Sequence, residues 1–404
     1  MNILGITSRV PYPPTDGARI CMYQAVRSLA ALGHTVHLVA VEDEEVDAGP
    51  LAQFCTLHQV RFRPIPTMLG AGLTLFNERP YTVWKKDIDR VYPLLDSLQA
   101  QHQFDAMYVD QAHVAQYGAY MKSRYGLPYF LRSHNVEHEI YRRHLSRVTN
   151  PLMRRYLALQ SSRWQRFEVE QTRRADTCAA ITQRDLEAIR AFAPGLPLQT
   201  IPAAVDLSAF PFRPVAQRET NSMIMLGNMG WAPNRDSAIW FANEILPLIA
   251  QKFPSAICHL VGADPPLRQL PTDSPNLKIH GRVSSIRELY DRVAIGLIPL
   301  RVGGGMRVKM VEMMSAGIPI VSTAIGAEGN SAEPGRHYLS ADQPEAFADA
   351  VVQLLNDAEL RASLSQAAFQ LAQRHYSLDS VGCQYQTMIQ QAVDLCRKRG
   401  EAAE

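Results

Sequence analysis

The residues of this 404-residue chain best suited to chemistry lie in one glycine-rich stretch, RVGGGMRVKMVEMMSAGIPIVST, from Arg301 to Thr323. Three consecutive glycines precede Arg307 and Lys309 at the start of a predicted helix. The positive end of a helix dipole disfavours cations there unless an anion lies between them. Glycine N–H groups can converge on an anion, and the two cations can make charge-assisted contacts with phosphate oxygens. The stretch therefore predicts a phosphate-binding site.

Glu312 follows Lys309 by three residues, so both side chains can lie on one face of this helix. Its carboxylate could accept hydrogen bonds from ribose hydroxyls about one sugar length from the phosphate. The alternative is an ordinary surface ion pair, worth under ~1 kcal/mol. The apolar neighbours Met310, Met313 and Met314 indicate a mostly buried helix. Because charges at a buried helix start need a partner, we favour the binding role.

Two further candidates follow predicted strands, at the carboxyl ends where open parallel sheets bind ligands. Gly17, in RVPYPPTDGARI, could bring backbone N–H groups close to an anion or a sugar hydroxyl. His134, directly after PYFLRS, could hydrogen-bond a substrate. The alternatives are a glycine needed only for the turn and a histidine packed without a chemical task.

The string SHNVEHEI also matches the zinc motif H-x-x-E-H, with His134, Glu137 and His138. That motif requires both histidines in one helix, whereas His134 directly follows a predicted strand. A zinc protease is therefore a minor alternative, and we expect no metal site. The chain also has no P-loop and no G-x-G-x-x-G after its first strand, which disfavours kinases and dehydrogenases.

Short apolar runs alternate with amphipathic stretches along the chain, which indicates an α/β protein with parallel sheets covered by helices. The predicted strands of the first half are 2–8, 35–41, 106–110, 128–133 and 177–182. Those of the second half are 222–228, 256–262, 277–283, 293–300 and 318–323. A proline-rich connection at 202–218 separates the two series, and everything from Pro344 to about Lys398 is predicted to be helical. We therefore expect two Rossmann-like domains facing each other across a cleft.

Composition sets the broad class of the protein. The chain has a hydrophobic content of 47%, a charged content of 20% and a net charge of +2, which are the values of an ordinary globular protein. This net charge gives no indication of nucleic-acid binding. Six widely spaced cysteines without a CxxC pair indicate reduced thiols. The N-terminus predicts a first strand and not a signal peptide, and no apolar run reaches the ~20 residues of a membrane span. The expected location is the cytoplasm.

Four motifs together resemble the retaining glycosyltransferases of family 4, which have the GT-B fold. They are SRVPYPPTDGAR, SHNVEHE, LGNMGWAPNRDSAIWF and PLRVGGGMRVKMVEMMSAGIPIVST, in the family's order along almost the whole chain. The resemblance implies an acceptor-binding domain at 1–212 and a nucleotide-sugar-binding domain at 213–374. It also implies a last helix, 375–404, that packs back on the N-terminal domain. The implied reaction moves a sugar from a nucleotide-diphosphate sugar to an acceptor hydroxyl with retention of configuration and without a metal or other cofactor.

The resemblance also assigns roles to single residues. Glu312 matches the second glutamate of the family's E-x7-E signature, whereas the first is replaced by Gly304. Arg307 and Lys309 are then expected to be catalytic and to hold the diphosphate. His134, which matches the family's histidine in the cleft, is the third expected catalytic residue. The other residues expected at the donor are Gly17, Asn228, Arg235, Arg282, Val283, Gly303, Gly305 and Met306. Asn228 stands where the family usually has an arginine, and Arg235 only roughly replaces its lysine.

Two alternatives to a transferase share this fold: a sugar-nucleotide epimerase, and a nucleotide-sugar-binding protein without turnover. The expected partners are a nucleotide-sugar donor and a sugar, lipid-linked or other hydroxyl acceptor, in polysaccharide, glycolipid or other glycoconjugate synthesis. Peripheral contact with the inner face of a membrane is a further expectation. Its suggested surface is Arg79, Tyr81, Trp84 and Lys85, for which a solvated face is the alternative.

Overall fold

The computed structural model describes residues 1–62, 77–145, 148, 150–303 and 305–401. The chain forms two compact units. The first contains Met1–Ala204 and the residues from Val381 onward, and the second contains Val205–Ser380.

The first unit contains a parallel sheet. Its strands are β1 (Asn2–Thr7), β2 (Thr35–Glu42), β3 (Thr56–Arg61), β4 (Ala106–Asp110), β5 (Tyr129–Ser133), β6 (Thr177–Ala180) and β7 (Leu198–Thr200). Their order is β3-β2-β1-β4-β5-β6-β7, with every pairing parallel. The strand order reverses beside β1, which is where open α/β sheets bind ligands. The five strands predicted for this half are confirmed, and β3 and β7 are additional.

Helices follow most of these strands. They are α1 (Gly17–Ala31), α2 (Tyr81–Trp84), α3 (Val91–His102), α4 (Ala115–Tyr125), α5 (Glu137–Leu145), α6 (Pro151–Arg174) and α7 (Gln183–Phe192). Helix α1 begins where the Asp16 side chain accepts a hydrogen bond from the backbone N–H of Arg19, at 3.0 Å. Just beyond its end, Gly33 has φ of +80°, the left-handed conformation in which many helices end.

Side chains that alternate along the strands fill both faces of this sheet. On one face Met107, Val109 and Leu131 pack in a cluster with helix residues such as Leu95. The intervening Tyr108 and Phe130 lie on the opposite face. Strands buried on both faces are continuously apolar, as the central strands of parallel sheets are.

The second unit contains another parallel sheet. Its strands are β8 (Glu219–Leu226), β9 (Ile257–Val261), β10 (Leu277–Gly281), β11 (Val293–Ile298), β12 (Ile320–Ser322) and β13 (Leu339–Ser340), in the order β10-β9-β8-β11-β12-β13. Its helices are α8 (Ala232–Trp240), α9 (Leu246–Lys252), α10 (Arg287–Arg292), α11 (Val308–Ser315), α12 (Ala324–Ala327), α13 (Pro344–Asn356) and α14 (Ala358–Tyr376). A π-helical turn, Phe241–Ile245, joins α8 to α9 just before Pro247, which has no N–H to continue an α-helical ladder.

The boundary between the units differs from the predicted 212/213. Residues after Val205 belong to the second unit because their apolar side chains pack there: Val205, Leu207 and Phe210 contact its core. Val205 N donates to Tyr376 O at 2.8 Å, and Ser315 Oγ donates to Phe210 O at 2.8 Å. From Val205 onward the proline-rich segment is therefore part of the second unit.

The last helix, α15 (Leu378–Glu401), joins the first unit from Val381 onward, so the boundary predicted at 374/375 lies six residues later. Tyr385 contacts the ring of Tyr108, with ring centroids 5.7 Å apart. Thr177 Oγ1 donates to Met388 O at 3.0 Å. In the described part of the chain, no helix is both long and apolar enough to cross a bilayer.

Candidate functional site

Gly303, Gly305 and Met306, from the first part of the glycine-rich stretch, lie in the turn between β11 and α11, and Arg307 occupies the position that caps α11. Its side chain is only 6% exposed, and Nη2 donates to Ile325 O at 3.4 Å. Gly303 has φ of +139°, and a Cβ there would lie 2.7 Å from Arg307 Nη2. The turn therefore needs glycine at 303, both for its backbone angle and to leave room for the guanidinium.

The other residues of this turn are tightly constrained. Gly305 has φ of +78°. A Cβ on Gly329 would lie 2.8 Å from the backbone of Met306, so the turn packs closely against the segment after α12. Gly304 lies outside the described residues.

Lys309 points back from α11 to the carboxyl end of β8. Its Nζ donates to Leu226 O at 2.7 Å and to Asn234 Oδ1 at 3.2 Å. Burial, and secondly the charge of Arg307, lower the pKa of Lys309 to about 8, against the opposing effect of Glu312. Two partly or fully buried cations thus lie close enough to raise each other's electrostatic cost, as expected of a site built for an anion.

Glu312 lies on the same helix, one turn beyond Lys309. Burial raises its pKa to about 7, although the nearby Lys309 cation acts in the opposite direction. The carboxylate is therefore poorly solvated, and hydrogen-bond donors from a ligand would stabilise its charged form.

The loop after β8 lies against the end of β9. Gly262 has φ of +140°, and a Cβ there would lie 1.8 Å from Gly227 O, so only glycine fits. Asn228 Oδ1 accepts from Gly230 N at 2.9 Å, and Asn234 Nδ2 donates to Asn228 O at 2.9 Å. The loop that contains Asn228 and the Lys309 ammonium are therefore linked through the single amide of Asn234.

The remaining residues of this unit that were predicted to contact the donor are Arg235, Arg282 and Val283. Arg235, on α8, is exposed, and within the described ranges its side chain makes no hydrogen bond or ion pair. Arg282 is exposed just after β10, whereas Val283 packs partly into the apolar core. The structure thus brings Arg307, Lys309 and the glycine turn together, with Arg235 and Arg282 left at the surface.

In the first unit His134 directly follows β5, as predicted, and is almost fully buried. Its Nε2 lies 2.5 Å from Asp110 Oδ1, and its Nδ1 lies 3.2 Å from Gln111 Nε2. Arg132 Nη1 is 3.7 Å from Asp110 Oδ2, and the Tyr108 hydroxyl donates to the same carboxylate. Burial by itself raises the pKa of Asp110, but His134, Arg132 and Tyr108 together hold it below its usual range.

Gln111 has a backbone conformation that is unusual for a residue other than glycine, with φ of +79°. Its Oε1 accepts from Ser8 Oγ, at the end of β1, while its Nε2 faces His134. Strained residues at strand ends are typical of functional sites. The side chains of Ser8, Gln111 and His134 therefore form a connected polar row at the carboxyl edge of this sheet.

Gly17 is the first residue of α1, and no described atom lies within 4 Å of where its Cβ would be. Gly17 is exposed and its φ is not positive, so the structure itself does not require glycine at this position. Among the described residues, no three His, Cys, Asp or Glu side chains converge in a metal-binding arrangement. His138 Nδ1 contacts Glu168 at 2.6 Å and His134 contacts Asp110, so the two imidazoles of the zinc motif serve different carboxylates.

Sequence reasoning missed Asp110, Gln111 and Asn234. Asp110 ends a buried strand, YVD, and a carboxylate at such a position was a usable signal. No such signal marks Asn234 in the sequence, because its partner Lys309 lies 75 positions away.

Comparison with known proteins agrees with this architecture. The model for "Glycosyl transferase 4-like domain" matches residues 16–203, and that for "Glycosyl transferases group 1" matches 220–357. A Klebsiella pneumoniae protein described as an uncharacterized 44.6 kDa protein in cps region is 20% identical, covering 94% of this chain and 97% of its own length.

Solved structures share the fold at low identity. Sucrose-phosphate synthase of Thermosynechococcus elongatus has a TM-score of 0.66 at 14% identity, over 97% of this chain and 99% of its own. Anabaena Alr3699/HepE, solved with UDP, has a TM-score of 0.66 at 16% identity, over 96% and 99%. WaaG, a glycosyltransferase involved in lipopolysaccharide biosynthesis, has a TM-score of 0.64 at 15% identity, over 96% and 99%. The two matched domains and the shared fold place the chain among the GT-B glycosyltransferases.

Proposed function

We propose that this chain transfers a sugar from a nucleotide-diphosphate sugar to an acceptor hydroxyl, with retention and without a metal ion. The observation that carries the proposal is the buried pair of cations, Arg307 and Lys309, beside the glycine turn at the start of α11. The UDP and UDP-glucose complexes of HepE support a nucleotide-sugar donor. Retention and family 4 membership rest on the motif resemblance.

In this reaction the bond between the anomeric carbon and the leaving phosphate oxygen breaks, and negative charge grows on the diphosphate. Fixed cations aimed at those oxygens stabilise the transition state more than the ground state. Lys309 is suited to this because Leu226 O and Asn234 Oδ1 hold its ammonium in place before a ligand arrives. Arg307 and Lys309 thereby supply positive charge that a metal ion supplies in other transferases.

The new bond forms between the acceptor oxygen and the anomeric carbon, on the face that the leaving group vacates. The acceptor proton then passes to a phosphate oxygen of the nucleotide. Glu312 would accept hydrogen bonds from the ribose hydroxyls. We assign acceptor binding to the first unit, where His134, Gln111 and Ser8 line the sheet edge.

The product class we propose is a polysaccharide, glycolipid or other glycoconjugate. A relative in a cps region and the role of WaaG in lipopolysaccharide biosynthesis support it. A cytoplasmic location, with peripheral contact at the inner face of the membrane, fits such an acceptor.

The first experiment is a thermal-shift screen against uridine, guanosine, adenosine and thymidine diphosphate sugars. A ligand at ~100 times its dissociation constant adds ~2.7 kcal/mol to stability, which such a screen detects. Lys309→Ala should then cut turnover with the selected donor by at least about 100-fold. Lys278→Ala, at an exposed lysine of β10 in the same unit, is the matched control and should leave turnover unchanged.

The outcomes separate the alternatives. Binding without release of nucleotide in any acceptor mixture would indicate a non-catalytic binding protein, for which the glycine at position 304 is the motivating feature. Conversion of the donor alone into an isomer would indicate an epimerase. Near-normal turnover in a folded Lys309→Ala variant would refute the assigned role of this cation.

A further inference from the structure

Helices α5 and α6 of the first unit form an antiparallel hairpin. Glu168 Oε1, in the second half of α6, accepts from Glu137 N at the start of α5, at 2.9 Å. Ser161 Oγ donates to His138 O at 3.2 Å. Because the start of α5 lies beside the second half of α6, the end of α5 lies towards the start of α6. The two helix ends at 142–145 and 151–155 therefore gather at one end of the hairpin.

This end of the hairpin, which we call the hairpin tip, consists of Arg142, Arg143, Leu152, Met153, Arg154 and Arg155. Leu152 is 76% exposed and Met153 is 50% exposed, which is unusual for adjacent large apolar side chains in a soluble domain. The four arginines are exposed around them. The Asn150 side chain caps α6 by accepting from Leu152 N and Met153 N, so the backbone that presents the pair is fixed.

The charge around the tip is predominantly positive. From Ile140 to Phe167 the sequence contains no acidic residue, and its arginines are Arg142, Arg143, Arg147, Arg154, Arg155, Arg163 and Arg166. Glu139 is shared between Arg142, at 3.4 Å, and Arg143, at 3.1 Å. Arg154 and Arg155 have no acidic partner in the described ranges of the chain. The tip is therefore strongly positive in a protein whose net charge is only +2.

Exposed leucine and methionine next to the exposed Arg154 and Arg155 match the chemistry of an anionic bilayer surface. Electrostatic attraction between arginines and negatively charged headgroups favours membrane binding, and so does burial of apolar side chains at the acyl boundary. A nucleic acid or polyanionic glycan would bind the arginines but would offer no apolar contact to Leu152 and Met153. We propose that the hairpin tip docks on the surface of an anionic lipid membrane, with Leu152 and Met153 inserted and the arginines on lipid phosphates.

This surface differs from the one that the sequence suggested. There, Arg79 is paired with Asp87, and the rings of Tyr81 and Trp84 are half-buried against each other. The new proposal deepens the proposed function by placing the enzyme at a lipid surface, but its test does not depend on sugar transfer.

Co-sedimentation with vesicles of equimolar phosphatidylglycerol and phosphatidylcholine, compared with pure phosphatidylcholine, tests it directly. We expect binding to the anionic vesicles only, weakening as salt rises. Leu152→Gln/Met153→Gln should reduce the partition coefficient about tenfold, and Arg154→Glu/Arg155→Glu at least about tenfold. The matched control is Leu267→Gln/Arg268→Glu, an exposed leucine and arginine pair of the second unit, which should bind as the parent does.

Glutamine keeps helix propensity close to that of leucine and methionine, and circular dichroism confirms that each variant is folded. Absence of parent binding to anionic vesicles, or parent-like binding by both tip variants, would overturn the proposal. So would tip-dependent binding to RNA or to a polyanionic glycan without vesicle binding. Nucleotide-induced thermal shifts, measured in the same variants, should be unchanged, so that failure of membrane docking and failure of the donor site remain distinguishable.

Discussion

Nε2 of His134 lies 2.5 Å from Oδ1 of Asp110, and both side chains are buried at the carboxyl edge of the first sheet. The second ring nitrogen faces the Gln111 amide at 3.2 Å. Both nitrogens of the predicted catalytic histidine therefore have protein partners. His134 can contact an acceptor through a ring nitrogen only if Gln111 or Asp110 gives up its contact.

Asp110→Asn should destabilise the protein by about 3 kcal/mol, because it removes the charge that compensates buried Arg132. Chemical denaturation at neutral pH measures this. The control is Asp105→Asn, at an exposed aspartate whose carboxylate accepts from Asn2 N, which should cost under about 1 kcal/mol. Equal effects of the two substitutions would show that the buried cluster has no special role.

Gly303→Ala should weaken donor binding, because its Cβ would displace the Arg307 guanidinium and its backbone would be strained. We expect the KM for the donor to rise about tenfold, since small displacements of a positioning group are costly. Gly305→Ala is the matched comparison: it shares the positive φ but meets no described atom within 4 Å. Both variants should lose stability from backbone strain, and only Gly303→Ala should show the larger loss of donor affinity.

Binding of UDP near pH 8 should be coupled to proton uptake. The pKa of free Lys309 lies at about 8, since burial and the charge of Arg307 oppose protonation. The diphosphate favours the ammonium, so the bound state should take up about half a proton per site at pH 8. In the unliganded protein the folded state disfavours the ammonium of Lys309. The unfolded chain therefore binds more protons between about pH 8 and the usual lysine range, and the stability of the fold increases as pH rises across this window.

Calorimetric titrations in HEPES and in Tris reveal this uptake through the difference in buffer ionisation enthalpy. Lys309→Met should abolish the buffer dependence, and Lys278→Met should preserve it. Proton release by the parent protein at pH 8 would contradict the electrostatic account of this site.

How far the sequence predicts this fold depends on the local pattern. Apolar runs such as NILGIT and VAIGLI identify central strands, because both faces of a parallel sheet are buried. The edge strands β3, β7 and β13 were not predicted because they are short or carry polar residues, as in TLHQVR. Their assignment depends on pairing with a neighbour, which the local sequence does not encode.

The candidate site is likewise predictable only in part from the sequence. Glycines and cations in one short stretch could be found because their chemistry is contiguous, as with Gly303, Arg307 and Lys309. The contacts that hold them are not contiguous: Leu226 and Asn234 reach Lys309 only after the sheet has formed. Exposure of Leu152 is likewise a property of the folded hairpin, since an apolar residue at a helix start is more often buried.

Paired histidines on neighbouring strands should make the protein sensitive to mild acid. His37 Nδ1 lies 3.3 Å from His58 Nε2 in the first sheet, and His259 Nδ1 lies 2.8 Å from His280 Nε2 in the second. Burial is the largest cause that lowers the pKa of all four histidines, and neighbouring cationic or histidine side chains add to it. Their folded state therefore favours the neutral imidazole.

The consequence for stability follows from proton linkage. Below the unfolded-state value near 6.5, the unfolded chain binds more protons than the folded one, so stability falls as pH drops from about 7 to 5. Thermal denaturation across that range measures the fall. His280→Gln should flatten the profile by removing one member of a pair, whereas His375→Gln, at an exposed position of α14, should leave the slope unchanged. A slope that is the same in the parent and in His280→Gln would mean that carboxylates, and not the His259–His280 pair, set the acid sensitivity.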